Sequence, residues 1–109
     1  MLTDAQWEYF GLGLTTPLRI ARLNPGENGW LRVAVLMPKG DQFPKDPGPV
    51  TCIVEFISGQ AMYKVDEKAY FSHPGTQHRI PAGESFEISM TFTEVLWVLH
   101  YPPPLQKVK

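Results

Sequence analysis

The sequence predicts an all-β barrel or sandwich. Eleven prolines and nine glycines cut its 109 residues into short pieces. The pieces between them alternate apolar and polar side chains with the period of a strand. A helical apolar period survives only in the first ten residues. Many short strands at even spacing, punctuated by turn residues, are the pattern of closed or stacked antiparallel sheets.

Taken in order, the candidate strands span residues 18–23, 30–37, 50–57, 60–65, a weaker 69–72, then 85–92 and 94–101. Asn24-Pro25-Gly26-Glu27-Asn28-Gly29 reads as the turn joining the first two. Ser58-Gly59 reads as a tight hairpin turn between the third and fourth. The stretch 38–49, PKGDQFPKDPGP, is expected to be a loop, lying over a barrel mouth, on a partner subunit, or plainly on the surface. The tail 102–109 opens with three prolines that cannot donate ladder hydrogen bonds, and it is expected to fray. In strand 85–92, Phe86, Ile88, Met90 and Phe92 share the face expected to point inward. Residues 95–99 are apolar on both faces. Such a strand is expected to be covered by the opposite wall on one side, and by the N-terminal segment or a second subunit on the other. A homodimer is the expectation that follows.

Composition narrows the function classes. An apolar fraction of 43%, with 12% aromatic residues, is enough for a core within a single domain, 1–109. Ten basic against eleven acidic residues leave a net charge of −1, so no basic excess marks a nucleic-acid surface. One cysteine, Cys52, excludes an internal disulfide and fits a reducing compartment. The opening MLTDAQWEYFGLG lacks the basic and apolar regions of a signal peptide, and residues 95–99 are too few to span a bilayer. A soluble cytoplasmic protein with no membrane partner is expected.

The segment GTQHRIPAGESFEISM places Gly75, Pro81 and Gly83 at the spacing of the second cupin motif, G-x5-P-x-G-x2-H-x3-N. Its closing histidine and asparagine positions hold Phe86 and Met90. In the first motif, G-x5-H-x-H-x(3,4)-E-x6-G, Gly59 fits the final glycine and Cys52 falls at the glutamate position. The two histidine positions then fall at Asp46 and Gly48, or at Lys45 and Pro47. The chain thus resembles a small cupin-like (RmlC-like) jelly roll without the usual metal ligands. By alternation, Cys52, Val54 and Phe56 face its interior.

More closely, the chain resembles the cupin-like bacterial pyrimidine/purine nucleoside phosphorylases, long catalogued as a family of unknown function. The likeness runs through EYFGLG (8–13), VAVLMPKGDQF (33–43), VEFISGQAMYKV (54–65), RIPAGESFEI (79–88) and VLWVLHY (95–101). It departs in a longer loop at 41–49 and in the proline-rich tail. The resemblance implies a metal-independent pentosyltransferase of nucleotide salvage. Such an enzyme exchanges the base of a nucleoside for inorganic phosphate as co-substrate, without a cofactor, and yields free base and pentose 1-phosphate.

Candidate chemistry can be weighed residue by residue. His73, His78 and His100 show no H-x-H or H-x3-H spacing, so no metal site is expected. Cys52, facing an apolar interior, reads as structural rather than nucleophilic. No G-x-S-x-G elbow is present, and Gly11-Leu12-Gly13 lacks a phosphate-loop continuation. Phosphorolysis needs a guanidinium fork for phosphate, a carboxylate or amide for ribose, and a proton donor and an aromatic face for the base. Arg19, Arg22, Arg32 and Arg79 are the available forks. His78 and Arg79 are the expected phosphate and leaving-base residues, in a polar run that begins with Gln77. Glu84 or Gln60 is expected on the ribose, and Tyr63 or Phe71 against the base. Two other readings stay open: a non-catalytic cupin that binds a small molecule, and a metal-dependent oxygenase or isomerase.

Overall fold

A computed structural model describes residues 8–10, 18–48 and 50–103. These form ten strands and no helix: β1 (Glu8–Phe10), β2 (Leu18–Leu23), β3 (Leu31–Met37), β4 (Phe43–Pro47), β5 (Cys52–Ser58), β6 (Ala61–Val65), β7 (Lys68–Phe71), β8 (Gln77–Ile80), β9 (Ser85–Thr91) and β10 (Val95–Tyr101). A six-stranded sheet has the order β1-β2-β3-β10-β5-β8, and a four-stranded sheet the order β4-β9-β6-β7. Every neighbouring pair is antiparallel. Alternating side chains from both sheets meet in one apolar core, which includes Trp97, Tyr63, Phe56, Met37, Ile88 and Val54. The all-β expectation holds.

The expected strands all appear, with ends shifted by no more than two residues, and the 24–29 turn closes the β2–β3 hairpin. There the Gly26 amide donates to the Trp30 carbonyl at 2.9 Å. Three further strands were not expected. Residues 8–10 pair with β2 rather than continuing a helical period. The 38–49 stretch is no mere loop, because two of its prolines, Pro44 and Pro47, sit in β4, an edge strand, where a missing N–H costs no central ladder bond. Residues 77–80, read only as a polar run, form β8 on the far edge of the six-stranded sheet. The tail expected to fray, 102–109, lies largely outside the described residues.

Two expectations are corrected. Ser58-Gly59 does not close a hairpin: β5 and β6 belong to different sheets, and this segment carries the chain from one to the other. Gly59 has φ +85°, and a Cβ there would lie 2.1 Å from the Glu94 carbonyl oxygen. Only glycine fits such a conformation and so close an approach. The second correction concerns β9. Met62 faces Met90 but Tyr63 faces Ile88, so Ser89 is an extra residue in the ladder. Phe86 and Ile88 point inward as expected, but the bulge reverses the phase, leaving Met90 and Phe92 exposed. Thr91 turns inward instead, accepting from the Asp41 amide at 2.8 Å and donating to the Pro38 carbonyl at 2.6 Å.

β10 is apolar on both faces, as the sequence suggested. Val95, Trp97 and Leu99 enter the main core. Val98 and Leu96 lie on the other face with Ala21, Ala34 and Leu23, forming a smaller cluster.

Candidate ligand site between the sheets

An apolar cavity of about 110 Å³ lies between the sheets. Cys52 and Val54 of β5, Ile80 of β8, Phe86 of β9, and Trp97 and Leu99 of β10 line it, with Phe43 of β4 closing one side. Strand alternation brings them together: Cys52 stands opposite Ile80, and Trp97 and Leu99 are two residues apart on β10. Trp97 packs edge-on to Phe43 at 5.1 Å and against Phe86 at 5.4 Å. Its indole nitrogen donates to the Met37 sulfur at 3.2 Å. The Trp97 ring is thereby held in one orientation. Burial pushes the Cys52 thiol above its ordinary pKa and keeps it protonated and poorly nucleophilic. Among the described residues, the one charged side chain lining this cavity is Glu84, half-buried in the turn before β9.

Glu84 also lines a second, polar cavity of about 310 Å³, together with Asp66, Lys68, Tyr70, His78 and Arg79. The predicted site residues His78, Arg79 and Glu84 therefore converge on one space. His78 follows the inward phase of Val54, its partner on β5. Its Nδ1 lies 3.0 Å from the Tyr63 hydroxyl. The Tyr63 ring stacks on Tyr70 at 5.4 Å, and Tyr70 packs edge-on to His78 at 4.7 Å. Tyr63 is buried and so lies under the cavity, behind His78, rather than offering a face to a base. Burial, and secondarily the neighbouring Tyr70 phenol, raise its pKa, so it retains its proton.

The other candidates lie elsewhere. Gln77 faces away from His78 and donates to Glu55 at 3.3 Å; Glu55 also meets His100 at 2.9 Å. Phe71 is exposed and stacks on Phe92 at 6.1 Å. Gln60 stands in the sheet-to-sheet crossing, at the end of β6 opposite Val65, which lines the polar cavity. Of the arginine forks, only Arg79 lines either cavity. Sequence reasoning passed over Phe43, Trp97, Leu99 and Ile80 as wall residues. Trp97 and Leu99 could have been found by extending the inward phase of Val95, whereas the prolines around Phe43 concealed its strand.

Cys52 and Phe86, at two positions where the cupin motifs carry metal ligands, line the same apolar cavity. One protonated thiol and one carboxylate, with no imidazole, do not supply the three or four donors of a transition-metal centre. Among the described residues, no cluster of three or more histidine, cysteine, aspartate or glutamate side chains is placed to hold a metal ion.

No model of a known protein family matches the chain, and no curated protein matches it. Solved structures do. A predicted oxalate decarboxylase from Thermotoga maritima superposes with a TM-score of 0.76 over 95% of this chain and 100% of its own, at 16% identity. An RmlC-like cupin from Shewanella frigidimarina gives 0.75 over 97% and 92%, at 14% identity. An acetylacetone dioxygenase from Acinetobacter johnsonii gives 0.73 over 100% and 76%, at 11% identity. At such identities the likeness concerns fold, and the fold of this chain is the cupin, or RmlC-like, barrel.

Proposed function

We propose that the chain is a binding barrel for a small amphipathic molecule, with an apolar end between the sheets and a polar end among Glu84, His78 and Arg79. The observation carrying this reading is that Glu84 lines both cavities, so an apolar space and a polar one share this carboxylate. Size supports it: a dry cavity of about 150 Å³ holds benzene, so the 110 Å³ space takes a fragment smaller than that ring. A whole nucleoside does not fit there.

The test is a nuclear magnetic resonance titration of the ¹⁵N-labelled full chain with branched alcohols, amides, acids and amines of three to six carbons. Binding should shift the Cys52 and Phe86 amides and the Trp97 indole resonance together. Cys52→Phe should fill the cavity and abolish those shifts while leaving a folded spectrum. A complete panel with no coherent shift at these positions would overturn the reading.

Metal-independent nucleoside phosphorolysis is the second reading, favoured by His78, Arg79 and Glu84 sharing the 310 Å³ cavity. There Arg79 would hold phosphate and Glu84 the ribose, with His78 as donor to the base. It ranks second because neither aromatic expected against the base offers it a face: Tyr63 is buried and Phe71 does not line this space. Uridine, adenosine and guanosine incubated with and without phosphate decide it: phosphate-dependent release of free base supports phosphorolysis, and its absence rejects it.

A further inference from the structure

The binding-barrel reading can be carried to a ligand class. Tyr63 is buried, and its hydroxyl finds Nδ1 of His78 at 3.0 Å. A buried phenol must place its proton on an acceptor. The pairing therefore makes Nδ1 the acceptor and leaves the ring proton on Nε2, so His78 presents a fixed N–H donor on the side away from Tyr63.

The charged groups of the polar cavity separate into engaged and free. Asp66 accepts from the Ser85 amide at 2.9 Å, and Glu67 meets Lys45 at 3.9 Å. Among the described residues, Glu84, Arg79 and Lys68 have neither an ion-pair partner nor a side-chain hydrogen bond, although all three line the same space. Glu84 and Arg79 stand farther apart than an ion pair, and His78 lines the same space. A carboxylate takes an ammonium group, and a guanidinium with a neighbouring N–H takes a carboxylate. A ligand carrying both charges on one carbon answers both.

The apolar end sets the rest. Scaled from benzene in about 150 Å³, the 110 Å³ cavity takes about four carbons. That is the size of a branched aliphatic side chain.

We infer that the site takes a free aliphatic α-amino acid. Its side chain lies against Cys52, Phe86 and Trp97, its ammonium group on Glu84, and its carboxylate on His78 Nε2–H and Arg79. This rests on the binding-barrel reading and adds the polar head to it.

The full chain is titrated with L-leucine, with 3-methylbutan-1-amine, which lacks the carboxylate, with 4-methylpentanoate, which lacks the ammonium, and with glycine, which lacks the side chain. L-leucine should bind at least tenfold more tightly than each of the others. Glu84→Gln should weaken L-leucine tenfold or more but 4-methylpentanoate less than twofold. Arg79→Gln should weaken L-leucine and 4-methylpentanoate together and spare the amine. An amine or an acid that binds as tightly as L-leucine overturns the inference. If neutral 3-methylbutan-1-ol shifts the Cys52 and Phe86 resonances and L-leucine does not, the amino-acid assignment fails while the binding barrel stands. If none of the five moves those resonances, both fail.

Discussion

Cys52 and Gly59 show how single residues constrain this barrel in opposite ways. Cys52 contributes by what burial does to its thiol, which is held above the ordinary value of 9.0. Its alkylation by iodoacetamide at pH 8 should run several-fold more slowly than that of free cysteine, and should rise more steeply above pH 9. A rate equal to free cysteine would mean that the thiol is not held in the apolar cavity. Gly59 contributes by the absence of a side chain. Gly59→Ala combines a left-handed φ with a contact of 2.1 Å to backbone. Gly29→Ala has a similar φ, +81°, but nothing within 4 Å. The Gly29 change should cost about 1 kcal/mol and the Gly59 change about 3 kcal/mol or more, measured by denaturant unfolding. Equal losses would show that the crossing can move away from Glu94. The sequence displayed Gly59 as a motif glycine, but whether it closed a hairpin or a crossing depended on pairing partners far along the chain.

At the scale of the element, β9 carries the most information and the one misleading pattern. Its alternation in sequence is continuous, and reading it places Met90 and Phe92 inside. The ladder partner β6 decides otherwise, because opposing Tyr63 to Ile88 and Met62 to Met90 inserts Ser89. Nothing in the local sequence announces such a bulge, since serine fits a regular strand position equally well. Deleting Ser89 should give a regular ladder in which Ile88 and Thr91 still point inward and Met90 outward, because Ser89 is the extra residue. The Asp41 amide and the Pro38 carbonyl then keep Thr91 as their partner, so the deletion should cost less than about 2 kcal/mol in denaturant unfolding. Ser89→Ala should stay within about 0.5 kcal/mol. A deletion costing about 3 kcal/mol or more would show that the bulge itself is needed to seat Thr91. β4 was concealed for a different reason: its two prolines count against a strand in any propensity reading, and only an edge position tolerates them. The candidate site was legible in proportion. His78, Arg79 and Glu84 come from one contiguous segment with a recognisable spacing, whereas the apolar wall draws on five strands from two sheets.

For the whole molecule, the two groups held protonated by burial set an alkaline limit. Both Cys52 and Tyr63 have folded pKa values raised above 9.0 and 10.0, so the unfolded chain releases these protons first. Below pH 9 their contribution to stability is constant. As pH rises through 9 and then 10, the unfolded state is favoured, so stability falls. The double variant Cys52→Ala, Tyr63→Phe should flatten this part of the curve relative to the parent in urea unfolding at pH 7–11. An unchanged slope would place the lost protons elsewhere.

The central place of β10 has a consequence for the order in which the barrel can be made. It pairs with β3 on one side and β5 on the other, and its Trp97 meets Met37 across 60 residues of chain. Until β10 has been synthesised, β3 and β5 have no common neighbour, and the inner faces of Val35 and Phe56 have no Trp97 between them. The two parts of the large sheet, β1-β2-β3 and β5-β8, can therefore join only late, on the millisecond-to-second scale of folds dominated by distant pairings. A chain stopped before Val95 would hold at most those two separate parts and the smaller sheet, with the edges of β3 and β5 left bare to water or to chaperones.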